Sequence, residues 1–154
     1  MMSKLELKIP PLIQILIFGS LMWLIDFITP SIPTSSMIVG LSSTFILILG
    51  CLFALKGVLD FRTNKTTVDP TNPNKSSSLV DHGIYNYSRN PMYVGFFLWL
   101  IAWGLFLSNG FALLVAFLFP VYMTKFQIVP EERTLEELFG QDYVVYKGKV
   151  RRWI

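Results

Sequence analysis

Charge is scarce in this chain. Asp, Glu, Lys and Arg together make 15% of its 154 residues, against about 25% in a typical soluble domain. Hydrophobic residues make 53%, and Phe alone occurs 13 times. A soluble domain of this size has too little interior to hide so much apolar surface. The composition excludes that class and points to one integral membrane domain. Histidine and cysteine are nearly missing too, with His82 and Cys51 the only ones. One of each makes no metal cluster of usual spacing, so no metal is expected. Cys51 has no internal disulfide partner and reads as a small buried hydrophobe. There is no G-x-G-x-x-G, no P-loop and no Lys/Arg run of the kind that grips nucleic acid. The net charge of +3 suits anionic lipid headgroups instead.

What is present is a set of long apolar runs. Four spans are expected, at about 11–29, 37–61, 92–107 and 111–129, each near the length a bilayer core requires. The first follows Lys4 and Lys8. It is too long for a signal peptide and has no small-residue cleavage site after it, so it is read as a retained helix. Spans three and four are joined only by "SNG", Ser108 to Gly110, which makes them an antiparallel hairpin. Pro120 is expected to kink the fourth.

Positive residues collect on alternate sides. The connections "PSIPTSS" and "SNG" carry no charge. Lys and Arg sit in the N-terminus, in the loop 62–90 and its edges, and in the tail 130–154. By the positive-inside rule both termini, the loop and the tail are cytoplasmic, in a multi-pass cell (inner) membrane protein. The polar sequence can then converge on one face. There "GIYNYSRNPMY", Gly83 to Tyr93, abuts a bilayer-grade run. Polar groups at that depth need partners or a job.

The tail begins "PEERTLEELFG", a short helix with Pro130 at its start and Gly140 at its stop. Leu135, Leu138 and Phe139 mark its inner face, which Glu131 shares four residues upstream. Glu132, Arg133, Glu136 and Glu137 are expected to face water. "QDYVVYKGKVRRWI" reads as an interfacial anchor of Tyr, Trp and basic residues. Asp26, near the outer end of the first span, is expected to snorkel to water. Lys56 and Asp60, at i and i+4, are read as a pair.

These residues resemble a family. "GIYNYSRNPMYVG" is similar to the G-x-Y…R-[HN]-P-x-Y-x-G signature of isoprenylcysteine carboxyl methyltransferase-like membrane methyltransferases. "PEERTLEELFGQDYVVYKGKVRRWI" resembles their C-terminal segment, and "TTVDP" resembles a loop of the short prokaryotic members. The resemblance covers roughly Thr66 to Ile154. It implies an all-α membrane enzyme using S-adenosylmethionine bound at a cytosolic cap. The acceptor would be lipophilic: a prenylcysteine-like carboxylate, a phospholipid amine or another small lipophile. Carried over by position, the cofactor would be held by Ser78, Leu79, Val80, Tyr85, Asn90, Pro91, Met92, Tyr93 and Glu131. Arg89, Gln127 and Glu131 form the candidate catalytic set. Two positions depart from the pattern. Asn90 stands where many members have His, and Gln127 stands where eukaryotic members have an Arg expected to engage the substrate carboxylate. The rival reading is a non-catalytic membrane subunit or lipid-binding protein that keeps the fold.

Overall fold

A computed structural model describes residues 6–63 and 79–154. "TTVDP" and Ser78 lie outside the described residues. Helix α1 (Pro11–Ile28) opens on a proline at its first position, where the missing N–H costs nothing. Helix α2 spans Ser36–Thr63. A 3₁₀ turn, Gly83–Asn86, leads into α3 (Pro91–Phe106). Helix α4 (Gly110–Met123) runs on through a π-helical turn, Thr124–Ile128, into α5 (Val129–Phe139). Helix α6 is Gln141–Lys149. Every described element is helical.

Three helices are long and apolar enough to cross a membrane: Pro11–Ile28, Ser36–Thr63 and the continuous Gly110–Phe139. The apolar α3 is shorter. Their burial is the reverse of a soluble bundle. Large side chains such as Leu16, Phe27, Phe45, Leu52 and Leu118 face outward, while Gly, Ala, Ser and Gln residues face inward. That is the pattern of helices whose outer solvent is lipid and whose contacts rest on close approach.

Helix α3 packs most extensively on α2. A Cβ placed on Gly95 would lie 2.6 Å from the Gly50 carbonyl oxygen and 2.9 Å from the Ala54 nitrogen. One placed on Gly50 would meet Trp99 at 2.6 Å. The two helices therefore touch backbone to backbone. On the other side of α3, Met22, Leu100, Ala112, Ala116, Phe119 and Met123 form the main core with α1 and α4.

The hairpin between α3 and α4 is locked by Asn109. Its Oδ1 accepts from the Phe111 and Ala112 backbone N–H groups, capping α4. Its Nδ2 donates to Asp26 Oδ1 at 3.0 Å and to Thr29 Oγ1 at 2.8 Å. Asp26, read from sequence as snorkelling to water, is half-buried and is tied through Oδ1 to this buried amide.

The acidic tail segment does not begin a new helix at Pro130. It continues α4, and the irregularity falls in the π turn, past Pro120 and just before Pro130. There the Val129 N–H reaches the Thr124 carbonyl. The tyrosines of α6 are not bilayer anchors either. Tyr143 and Tyr146 are 2% and 7% exposed and form a second core with Val80 and Tyr85.

Candidate active site

The site is built at the junction of the helical bundle and this second core. Asp60, in the last turn of α2, accepts a hydrogen bond from the Ile84 N–H at 2.9 Å. That bond docks the 3₁₀ turn on α2. Gly83 enters the turn at φ +62°, and a Cβ placed on it would collide with the Asp60 carboxylate, so a side chain there would be strained and would push Asp60 off the turn. Gly83→Ala is expected to cost about 1–2 kcal/mol from the left-handed backbone alone, with the clash on Asp60 added. Reversible unfolding in detergent measures it, and wild-type stability in the variant would refute this role for the turn.

The turn directs Tyr85 inward. Its ring meets Phe61 edge-on at 5.2 Å, and its carbonyl accepts from the Tyr146 hydroxyl at 2.8 Å. Its own hydroxyl is buried and has no hydrogen-bond partner among the described residues. Burial, with Tyr146, Asp60 and Glu131 nearby, pushes that hydroxyl far above the usual phenol range. Tyr85 is thus a fixed proton donor without an acceptor among the described residues, a costly state that a ligand oxygen or nitrogen would relieve. Burial likewise raises the hydroxyls of Tyr143 and Tyr146.

Glu131 enters from α5. Its Oε1 accepts from the Tyr93 hydroxyl at 2.7 Å and from the Gln127 side-chain amide. The Gln14 amide donates to the Ile9 carbonyl at 2.7 Å and lies 3.5 Å from Gln127 Oε1. Gln14 and Gln127 are both buried, and Gln14 Oε1 has no partner among the described residues. A row of polar groups so runs from α1 through the π turn to the cap.

Glu132, expected in water, is 7% exposed. Its Oε1 accepts from Arg89 Nη2 at 2.8 Å and Arg152 Nε at 3.0 Å, and its Oε2 accepts from Arg152 Nη2 at 2.7 Å. Those bonds raise the Arg152 guanidinium further. Arg89 also donates to the Lys147 carbonyl at 3.1 Å. The C-terminal segment is thereby strapped to the start of α3. Asn90 Nδ2 donates to the Arg152 carbonyl at 2.9 Å, and Trp153 Nε1 donates to Thr124 Oγ1 at 3.1 Å.

Of the residues named from sequence, Leu79, Val80, Tyr85, Arg89, Asn90 and Glu131 line one cavity, together with Glu132, Leu135, Phe139 and the α6 tyrosines. Tyr93 and Gln127 reach it through Glu131. Pro91 and Met92 pack against Gly57 of α2 instead. Leu138, expected inward, is 43% exposed. The enclosed cavity holds about 50 Å³, room for roughly one or two waters. It shares Leu79 and Tyr146 with an open cleft of about 560 Å³ lined also by Asp81, Asn86, Asp142 and Lys149. Together they reach the range of small-molecule sites. Sequence reasoning missed Gln14, Glu132, Arg152 and the α6 tyrosines. A lone Gln in the first apolar run was a signal for Gln14, while Arg152 gave none.

Fold and site together define a multi-pass helical membrane protein with a polar cap at one end of its bundle. A family model described as phospholipid methyltransferase matches residues 36–142. The chain belongs to this family, on its isoprenylcysteine carboxyl methyltransferase-like side. It is 32% identical over 135 residues to a protein-S-isoprenylcysteine O-methyltransferase of Saccharomyces cerevisiae, covering 81% of this chain and 54% of the relative. It is 41% identical over 80 residues to the protein of that name in Schizosaccharomyces pombe, covering 50% and 33%. An uncharacterized Haemophilus influenzae protein is 46% identical over 63 residues, 41% of this chain and all of that one. The chain spans about half or less of the named methyltransferases it matches. No solved structure matches.

Proposed function

We propose that the chain transfers a methyl group from S-adenosylmethionine to a lipophilic acceptor at the cytoplasmic face of the membrane. The observation that carries this reading is the buried Tyr85 hydroxyl, without a partner among the described residues, on a residue that lines the same cavity as Glu131. A cofactor rich in oxygen and nitrogen acceptors, with a cationic sulfur and an ammonium group, satisfies both. The family membership supports the transfer chemistry. The charge distribution of the loops supports the cytoplasmic orientation of the cap and both termini.

Tyr85, Leu79, Val80 and Asn90 would hold the cofactor, with the Glu131 carboxylate on the side of its cationic sulfur. Ser78 is proposed from the resemblance alone. Pro91 and Met92 would act by fixing the start of α3 against α2. Arg89 would act by holding Glu132 and the C-terminal strap in place. The bound sulfonium supplies a methyl group that is already activated, so neither a metal nor a nucleophilic side chain is needed. The protein's task is alignment and exclusion of water. The acceptor would reach the cap from between the helices, which fits polar sequence abutting apolar sequence at Gly83 to Tyr93.

The test is calorimetric titration of the detergent-purified protein with S-adenosylhomocysteine. Micromolar binding, about −8 kcal/mol, is expected. Tyr85→Phe should weaken it about tenfold, the worth of one buried hydrogen bond. A folded wild type that binds nothing overturns the reading and favours a non-catalytic membrane subunit.

A further inference from the structure

The chemistry of a methyl acceptor dictates what must surround it. A carboxylate attacks without shedding a proton. Its site must therefore offer a cation to offset the loss of water around the charge. An acceptor that attacks through an N–H, O–H or S–H group has the opposite needs. It must lose a proton, so its site needs a base, hydrogen-bond acceptors and no competing cation.

The polar row meets the second description. Glu131 is bonded by two neutral donors, Tyr93 and Gln127, and has no ion pair among the described residues. Next in the row, Gln14 holds a buried carbonyl oxygen without a donor among the described residues. Four of the basic side chains around the cap are engaged elsewhere, and Lys149 lines the open cleft and not the Glu131 cavity. Arg89 and Arg152 converge on Glu132. Arg133 faces Glu6 at 3.5 Å, and Lys125 lies over the Phe126 ring at 5.3 Å.

We infer that the acceptor carries a proton-bearing nucleophile, an amine, hydroxyl or thiol on a lipophilic tail, rather than a carboxylate. This rests on the proposed methyl transfer and narrows it. The lone pair on the acceptor's N, O or S forms the new bond to the methyl carbon. The carbon–sulfur bond of the sulfonium donor breaks with its electron pair left on sulfur. The acceptor's proton passes to the Glu131 carboxylate. An amine enters as its free base. Gln14 Oε1 accepts from the acceptor's X–H group, while Gln127 holds the Glu131 carboxylate in place.

Three probes on one tail separate the head groups: farnesylamine, farnesol and N-acetyl-S-farnesylcysteine. Each is titrated into the full chain in a non-ionic maltoside micelle, with and without S-adenosylhomocysteine, and binding is read by calorimetry. The expected result is that the amine or the alcohol binds at least tenfold tighter than the carboxylate. Gln14→Leu should erase most of that margin. Gln127→Arg, which introduces a cation beside the row, should reverse it. Thermal unfolding of each variant confirms that it is folded. Equal or tighter binding of the carboxylate by the wild type overturns the inference, as does a folded Gln14→Leu variant with an unchanged margin. Binding of S-adenosylhomocysteine with no binding of amine or alcohol overturns it too. Loss of S-adenosylhomocysteine binding by the wild type is a different failure, that of the methyltransferase reading itself.

Discussion

Glu132→Ala will cost about 3–5 kcal/mol of stability, the penalty for removing one partner of a buried ion cluster. The reason is geometric. Glu132 accepts three charge-assisted hydrogen bonds, and Arg89, with only 8% of its side chain exposed, would be left without its carboxylate. The loss is local to the cap, because α5, α6 and the C-terminal segment meet there. Limited proteolysis should therefore cut the variant after about residue 129, while the bundle stays protected. Arg152→Ala should cost less, since its side chain is 36% exposed and water replaces much of the bond. A Glu132→Ala variant with wild-type unfolding and wild-type protease resistance would show that the cluster does not hold the cap.

Gly95→Ala will destabilise the bundle by about 2 kcal/mol, within the range for overfilling a close-packed interface. Adding one methyl group would ordinarily favour a helix, since Ala is the better helix former. Here that methyl meets the Gly50 carbonyl oxygen at 2.6 Å and the Ala54 nitrogen at 2.9 Å, and backbone atoms cannot swing aside. Gly40 supplies the matched control, with nothing within 4 Å of an added Cβ. Gly40→Ala should be neutral or stabilise by about 0.5–1 kcal/mol. Reversible unfolding in mixed micelles compares the two. Similar effects at both positions would mean that α2 and α3 do not meet through backbone.

Much of this architecture was legible locally. The apolar runs and the uncharged "SNG" link describe the helices and their hairpin directly, because lipid forces each span to satisfy its own backbone. Glu131 was legible from its four-residue spacing to Leu135. The face it belongs to was drawn one step off, since Leu138 is exposed and Glu132 is buried. Periodicity sees only the helix's own side chains. Glu132 is held inward by Arg89 and Arg152, which lie 43 and 20 residues away, and no local pattern encodes them. The same holds for Tyr143 and Tyr146. Their mix with basic residues imitates a membrane anchor, yet their partner is the Tyr85 turn.

The π turn at Thr124–Ile128 sets the phase of everything after it. An α-helix advances 100° per residue, so one extra residue in a turn rotates the downstream segment by about that angle relative to an unbroken helix. The turn thereby sets which neighbourhood each of the adjacent carboxylates at 131 and 132 meets, one of neutral amide and phenol, the other of two guanidinium groups. Excising a single residue from the turn would leave composition, length and hydropathy almost unchanged. It would nonetheless turn the cap like a dial, bringing Glu132 to where Glu131 now stands and Arg133 to face Arg89.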